Sequence, residues 1–448
     1  MAFNSSTIVT NIPVLFSLSH LLHSHIKKNK TLIIRIITHD QESHLYLKDK
    51  NHFRPKKILK KKINFAFLKL TLNHTKNMTT EINKKERLLS LDALRGFDML
   101  FIMGLADLIQ AISRLWPDAE TAKWMTRQME HVEWNGWVHH DTIFPLFLFI
   151  AGISFPFSLA KQRASKHTEK QIALRVVKRG LILVLLGMIY NGLFDWNFYD
   201  LRCASVLGRI GLAWMFAALL FMKLRPKTLT VTSTIILIGY WLLLWLVPEG
   251  DDPFSFEHNL VGTIDRIMLP GRLIYGDNYF DPEGILSTFP AIVTALLGML
   301  TGSFVKGPEE KVSGYKKSLY MLAAAIVLIS IGYLWDTVFP INKKLWTSSF
   351  VCVLAGYSLI MFALFYYIID VKNYRRWTLF FRVIGMNSIS IYLAQRIIDF
   401  QHISDFFIAG LAAKFPDVWE NILNGCGYIA VCWLFLYFLY RKQVFLKV

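Results

Sequence analysis

The stretch "HVEWNGWVHHD", residues 131–141, gathers three histidines, two carboxylates, two tryptophans and an Asn-Gly pair into eleven residues. Three kinds of chemistry compete for it. A metal centre would need His139, His140 and Asp141 to converge. Neighbouring residues on a helix diverge by about 100°, so the spacing argues against a metal and the expectation is none. A purely structural reading makes Trp134 and Trp137 interfacial anchors and His139 and His140 solvated or hydrogen-bonded. Asp141 then caps the helix that follows. In the third reading His131 is a general base, because an imidazole near neutral pKa can take a proton from an amine or an alcohol. For His131 the residues alone leave the last two readings open.

The elements that must position this stretch are apolar. The 448 residues are 54% hydrophobic and 14% aromatic, with a mean hydropathy of +0.37. The apolar residues fall in runs of about 20, the length that crosses hydrocarbon as a helix. These runs predict an all-α polytopic membrane protein with ten spans, near 97–115, 141–160, 179–195, 203–222, 228–247, 285–305, 318–338, 347–369, 379–397 and 424–440. "AKQRASKHTEKQIALRVVKR", "KLRPK", "KGPEEKVSGYKK", "DVKNYRRW" and the tail are basic, whereas the 248–284 loop is acidic. Short basic loops stay in the cytoplasm, which places both ends of the membrane domain inside and "HVEWNGWVHHD" outside. Residues 404–413 are too short to cross and read as a re-entrant or interfacial helix. The same charge pattern rejects nucleic acid as the partner for the net charge of +18. The partner that remains is the lipid bilayer. Cys203, Cys352, Cys426 and Cys432 lack metal-ligand spacing and read as packing residues.

Residues 1–77 stand apart. They hold 14 Lys/Arg against 3 Asp/Glu and no strong periodicity. They read as a basic extension, either disordered or a gene-model artefact with translation starting at Met78. The membrane domain then runs over 78–448. Within its spans lie Asp98, Asp107, Arg202, Arg209, Asn387 and Ser388. Ionisable groups at membrane depth are costly and face a cavity or a partner. These six are therefore expected to bind substrate or to lock the core, with Asp98–Arg209 as a candidate internal pair.

"RLLSLDALRGFDMLFIMG", "HVEWNGWVHHDTIFPLFLFIAG", "LRCASVLGRIGLAW", "YFDPEGILSTFPAI", "FPINKKLWTSSFV" and "GMNSISIYLAQ" follow one another along the chain. In that order they resemble the heparan-α-glucosaminide N-acetyltransferase family and its bacterial relatives, over about residues 86–448. "SLDALRG" is shared more loosely with the wider transmembrane acyltransferase superfamily. The resemblance implies acetyl-CoA as donor on the cytoplasmic side and the amine of an amino sugar as acceptor on the other. It maps the active histidine, which precedes Trp-Asn-Gly, onto His131, and sets Asn135 and Asp141 on motif positions. One departure lies in the first span, where an asparagine of the animal enzyme meets Ala106 or Asp107. The short core is of the bacterial type, which implies the bacterial inner membrane.

On this reading, the pantetheine arm threads between helices and presents the thioester near the outer face. His131 removes the amine proton, and Asn135 or backbone N–H groups steady the oxyanion. Arg95 and Arg179, toward the cytoplasmic face, hold the CoA phosphates. Arg202 and Arg209 lie in the outer half and organise the core or the acceptor site. A ten-helix transporter or flippase of a sugar or glycolipid is the alternative, and a non-catalytic scaffold a third reading. A homodimer stays open.

Overall fold

The computed structural model describes residues 88–446, apart from 249 and 276–278, together with the backbone of three short strands. The chain divides into two units, Met1–Glu86 and Arg87–Val448. In the first unit, β1 (Ile34–His39), β2 (Glu42–Asp49) and β3 (His52–Pro55) form an antiparallel meander, with His39 opposite Glu42 and Asp49 opposite His52. The rest of the expectation for 1–77 lies outside the described residues.

The second unit is an all-α polytopic membrane protein. Among the described residues, eight helices are long and apolar enough to cross a bilayer: α1 (Leu89–Ser113), α3 (His139–Ala164), α5 (Val206–Lys223), α6 (Pro226–Leu246), α8 (Thr288–Lys306), α9 (Gly314–Asp336), α10 (Ser348–Val371) and α14 (Asp417–Arg441). Each coincides with one of the ten expected spans. The other two differ for physical reasons. Helix α4 (Glu169–Tyr190) is long enough, but Glu169, Lys170, Arg175, Lys178 and Arg179 make its first half too charged. The run at 379–397 is broken at Asn387, whose φ of −124° leaves the helical region, into α11 (Thr378–Met386) and α12 (Ser388–Ile397). Three shorter helices complete the unit: α2 (Glu120–Gln128), α7 (Leu260–Met268) and α13 (Phe400–Ala412), the last on the segment read as non-crossing.

Helix α3 is the central post. Leu148, Phe149, Ile150 and Ile153 are fully buried, and α8 and α10 pack on it through Val293, Ala295, Leu296 and Phe350. Large apolar side chains such as Leu181, Ile235, Ile326, Leu334 and Phe438 point outward instead. That inversion suits a bilayer, where helices associate by close packing and not by escape from water. Helix α1 bends at a π turn, Phe101–Leu105, a common cause of kinks. The post delivers its N-terminus, and with it residues 131–141, to one end of the bundle. The described residues of the loops 191–205, 250–275, 279–285 and 337–347 collect at the same end.

Candidate active site

The 131–138 segment is stitched to a loop some 200 residues away. Gly136 takes a φ of +102°, a region that favours glycine. Its N–H donates to Ile341 O at 2.7 Å. Asn342 Nδ2 donates to Asn135 Oδ1 at 3.1 Å, and Lys344 Nζ donates to Glu133 O. Trp134 Nε1 donates to Phe254 O at 2.8 Å, and its ring meets Phe256 and Phe280 edge-on. The stretch is thus a fixed loop and not a mobile tether.

Asp141 is the hinge between helix and chemistry. Only 2% exposed, its Oδ2 accepts the N–H groups of Val138 (3.3 Å) and Val132 (3.4 Å), which starts α3 as a capping carboxylate does. Its Oδ1 lies 2.7 Å from His131 Nδ1 and 3.0 Å from Lys343 Nζ. The capping reading and the catalytic reading of Asp141 therefore use different oxygens of one side chain. With Nδ1–H donating to the carboxylate, His131 keeps Nε2 as a free acceptor nitrogen. The histidine side chain is 52% exposed, so that nitrogen is reachable.

Two cavities share this histidine. The inner one, of about 280 Å³, is lined by His131, Asp141, Lys343, Arg202, Glu283 and Tyr275 among others. The outer one, of about 860 Å³, lies against Arg114, Lys123, Arg127 and Asn135, and shares His131, Val132 and Trp134 with the inner one. Opposite His131, the "DPEG" turn is held from three directions. Arg202 binds Asp281 through Nε (2.7 Å) and Nη2 (2.8 Å), and also Glu283. Burial alone would depress the Arg202 pKa, but the two carboxylates reverse that and raise it. Arg209, fully buried, donates to Pro282 O and Ser287 Oγ and lies 5.1 Å over the Trp346 ring. Asp265 accepts Ile285 N–H at 2.9 Å through Oδ1, while Oδ2 faces Gly284, where a Cβ would come within 1.8 Å. Burial pushes the Asp265 pKa up to about 7, against the opposing Ile285 hydrogen bond and the Arg209 charge.

The residues expected from sequence divide accordingly. His131, Asp141 and Arg202 line the inner cavity, Asn135 lines the outer one, and Arg209 braces the turn behind them. His140 also lines the inner cavity, with its ring edge-on to His131 at 4.7 Å. His139 turns away, toward Phe101 and the Tyr357 hydroxyl. The Asp98–Arg209 pair does not form. Arg209 is taken by the 282–287 turn, and Asp98 is 2% exposed with Oδ2 unpartnered. Asp107 is exposed, so it is not a core group. Asn387 and Ser388 are buried at the helix break, outside both cavities, and neither side-chain polar atom of Asn387 has a partner. Deeper in the bundle, Arg95 reaches Ser154 Oγ at 3.3 Å and Asp92 at 3.8 Å. Arg179 stacks 4.3 Å over Trp214, and its Nε has no partner. Among the described residues, no group of three or more His, Cys, Asp or Glu side chains is placed to hold a metal ion.

Sequence reasoning missed Lys343, Lys344, Glu283 and Tyr275 as site residues. The signal available was the polar pairs in "NKKLW" and "DPEG", next to apolar spans; nothing local ties either to His131.

No family model matches the chain. Among curated proteins it is 25% identical over 380 residues to the heparan-alpha-glucosaminide N-acetyltransferase of Mus musculus, and 25% over 378 residues to that of Homo sapiens. The chain is a distant relative of these enzymes. Each alignment covers 71% of this chain and 56% of the relative, so the chain spans about half the length of the curated relatives it matches. The relatives' name specifies transfer of an acetyl group to nitrogen of a glucosaminide.

Proposed function

We propose that the protein is an integral-membrane acyltransferase that moves acetyl from cytoplasmic acetyl-CoA to the amine of an amino sugar on the opposite face. The observation that carries this reading is His131, oriented by Asp141 and shared by an inner and an outer cavity. Its free Nε2 is a base accessible where two substrates could meet.

The acceptor nitrogen attacks the thioester carbonyl, and an N–C bond forms while the C–S bond breaks. His131 Nε2 takes the proton from nitrogen and returns it to the departing sulfur, so donor and acceptor leave as thiol and amide. Asp141 keeps the imidazole in the Nδ1–H tautomer. Asn135 spends Oδ1 on Asn342, which leaves its amide N–H groups for the oxyanion. The acetyl-CoA phosphates suit Arg95 and Arg179: Arg95 brings a second guanidinium, and the buried Nε of Arg179, which has no partner, favours an anion. The basic loops on the side opposite His131 support the sidedness.

The test is purified protein with radiolabelled acetyl-CoA and a panel of amino sugars. N-acetylated sugar supports the reading. Uptake of the sugar into vesicles without acetylation would support the transporter alternative instead.

A further inference from the structure

Lys343 completes a three-atom cluster with His131 and Asp141. Its Nζ lies 3.0 Å from Asp141 Oδ1 and 3.2 Å from His131 Nδ1, while Nδ1 lies 2.7 Å from the same Oδ1. An ammonium only donates. If Lys343 donated to Nδ1, the Nδ1 lone pair would face the carboxylate at 2.7 Å, which is repulsive. Both nitrogens therefore donate to Oδ1, and the Lys343–His131 approach is a contact between two donors tolerated by one shared acceptor.

That arrangement has a chemical consequence. Asp141 is 2% exposed, and a buried carboxylate needs a countercharge. Without Lys343 the nearest group able to supply it is the imidazolium of His131. With Lys343 in place the carboxylate is already balanced, and a second proton on the ring meets an ammonium 3.2 Å away. A base that must take a proton from nitrogen and then give it to sulfur needs that opposition, because a tight imidazolium–carboxylate pair would take the proton and keep it.

The lysine is delivered by fixed backbone. Asn342 is fully buried, its N–H donates to Thr347 Oγ1 at 3.0 Å, its Oδ1 accepts Leu345 N–H at 2.9 Å, and its Nδ2 binds Asn135. The other charged or titratable groups around His131 are Glu130 and Glu133 on its own loop, His140 on α3, and Arg114, Lys123 and Arg127 across the outer cavity. Arg202, Glu283 and Tyr275 line the far wall of the inner cavity, and Lys344 is drawn off to Glu133 O and the Tyr275 ring. None of these touches Asp141 Oδ1.

We propose that Lys343 is a positioning residue that balances Asp141 so that His131 passes its proton on instead of retaining it. The role in acetyl transfer rests on the function proposed above; the effect on the ring does not, and the test separates the two. Lys343→Met and Lys343→Arg are compared with the unaltered full-length protein. In turnover, Lys343→Met is expected to lower kcat by about 10–100-fold with both KM values held within about threefold, and Lys343→Arg to stay within about threefold of the original. Without either substrate, the rate at which diethyl pyrocarbonate modifies His131 at pH 6.5 is followed by peptide mass spectrometry. Lys343→Met is expected to slow it about fivefold, since only the neutral ring reacts. An unchanged or faster modification rate in Lys343→Met overturns the proposal, as does a kcat loss equal in Lys343→Arg, which would mark a merely structural lysine. Slowed modification in a protein that transfers no acetyl would sink the proposed function and leave the Lys343–Asp141–His131 balance standing.

Discussion

Asn342 Nδ2 donates to Asn135 Oδ1 across 207 residues of chain, at 3.1 Å. Together with the Gly136 N–H bond to Ile341 O, this places the loop that carries His131 and the loop that carries Lys343 in one rigid piece. Asn342→Ala removes an acceptor for Leu345 N–H and the donor for Asn135 in a fully buried position. It should cost about 1–3 kcal/mol of stability, read as a lower thermal midpoint in detergent. Turnover should fall at temperatures where the variant is still folded, because both partners of Asp141 lose their common frame.

His131→Ala should lower turnover by about 10²–10⁴-fold, the range for loss of a general base, with acetyl-CoA binding retained. His140→Ala should be milder, since its ring packs edge-on to His131 without a hydrogen bond to Asp141. His139→Ala, facing Phe101 and Tyr357, should be milder still. Equal losses at all three positions would revive a shared metal or relay role.

Asp265 gives a pH signature of its own. Its carboxyl is raised to about 7 by burial, against about 3.9 in an unfolded chain. The unfolded state releases this proton first, so the folded state gains relative stability below neutrality and loses it as pH rises through about 7. Thermal midpoints should therefore fall between about pH 4 and pH 7 through this group and level off above that. Asp265→Asn keeps an acceptor for Ile285 N–H and should flatten that slope. An unchanged slope in a folded Asp265→Asn protein would show that the folded carboxyl ionises in the ordinary carboxylate range.

Arg179→Ala removes a half-buried guanidinium whose buried Nε has no partner. If that cation waits for a CoA phosphate, the KM for acetyl-CoA should rise about tenfold or more, the scale of one charge-assisted contact, while the KM for the amino sugar stays put. A matched rise in both, or none, would leave Arg179 as a packing residue stacked on Trp214.

The membrane class was legible because apolar runs of bilayer length leave few alternatives, and eight of the expected spans appear as long helices. The divergence of His139 and His140 was also legible, since it follows from helix geometry alone. The break at Asn387 was not, because polar residues are scattered among the apolar ones of "FFRVIGMNSISIYLAQ" and none of them announces a change of φ. The expected Asp98–Arg209 pair failed for a related reason. Charge complementarity between two spans says nothing of depth or rotation, and the 281–287 turn reached Arg209 first. Lys343 was out of reach altogether: its partner lies 202 positions earlier, and contacts such as Asn135–Asn342, Gly136–Ile341 and Glu133–Lys344 bring the loops together.

Transfer across the bilayer is the claim on which the account turns. Proteoliposomes of the full-length protein, loaded with radiolabelled acetyl-CoA and supplied with glucosamine outside only, test it directly. The account predicts labelled N-acetylglucosamine outside, dependent on His131, with little product when donor and acceptor are both added outside to vesicles whose protein faces one way. Product formed only when donor and acceptor share a compartment would contradict it.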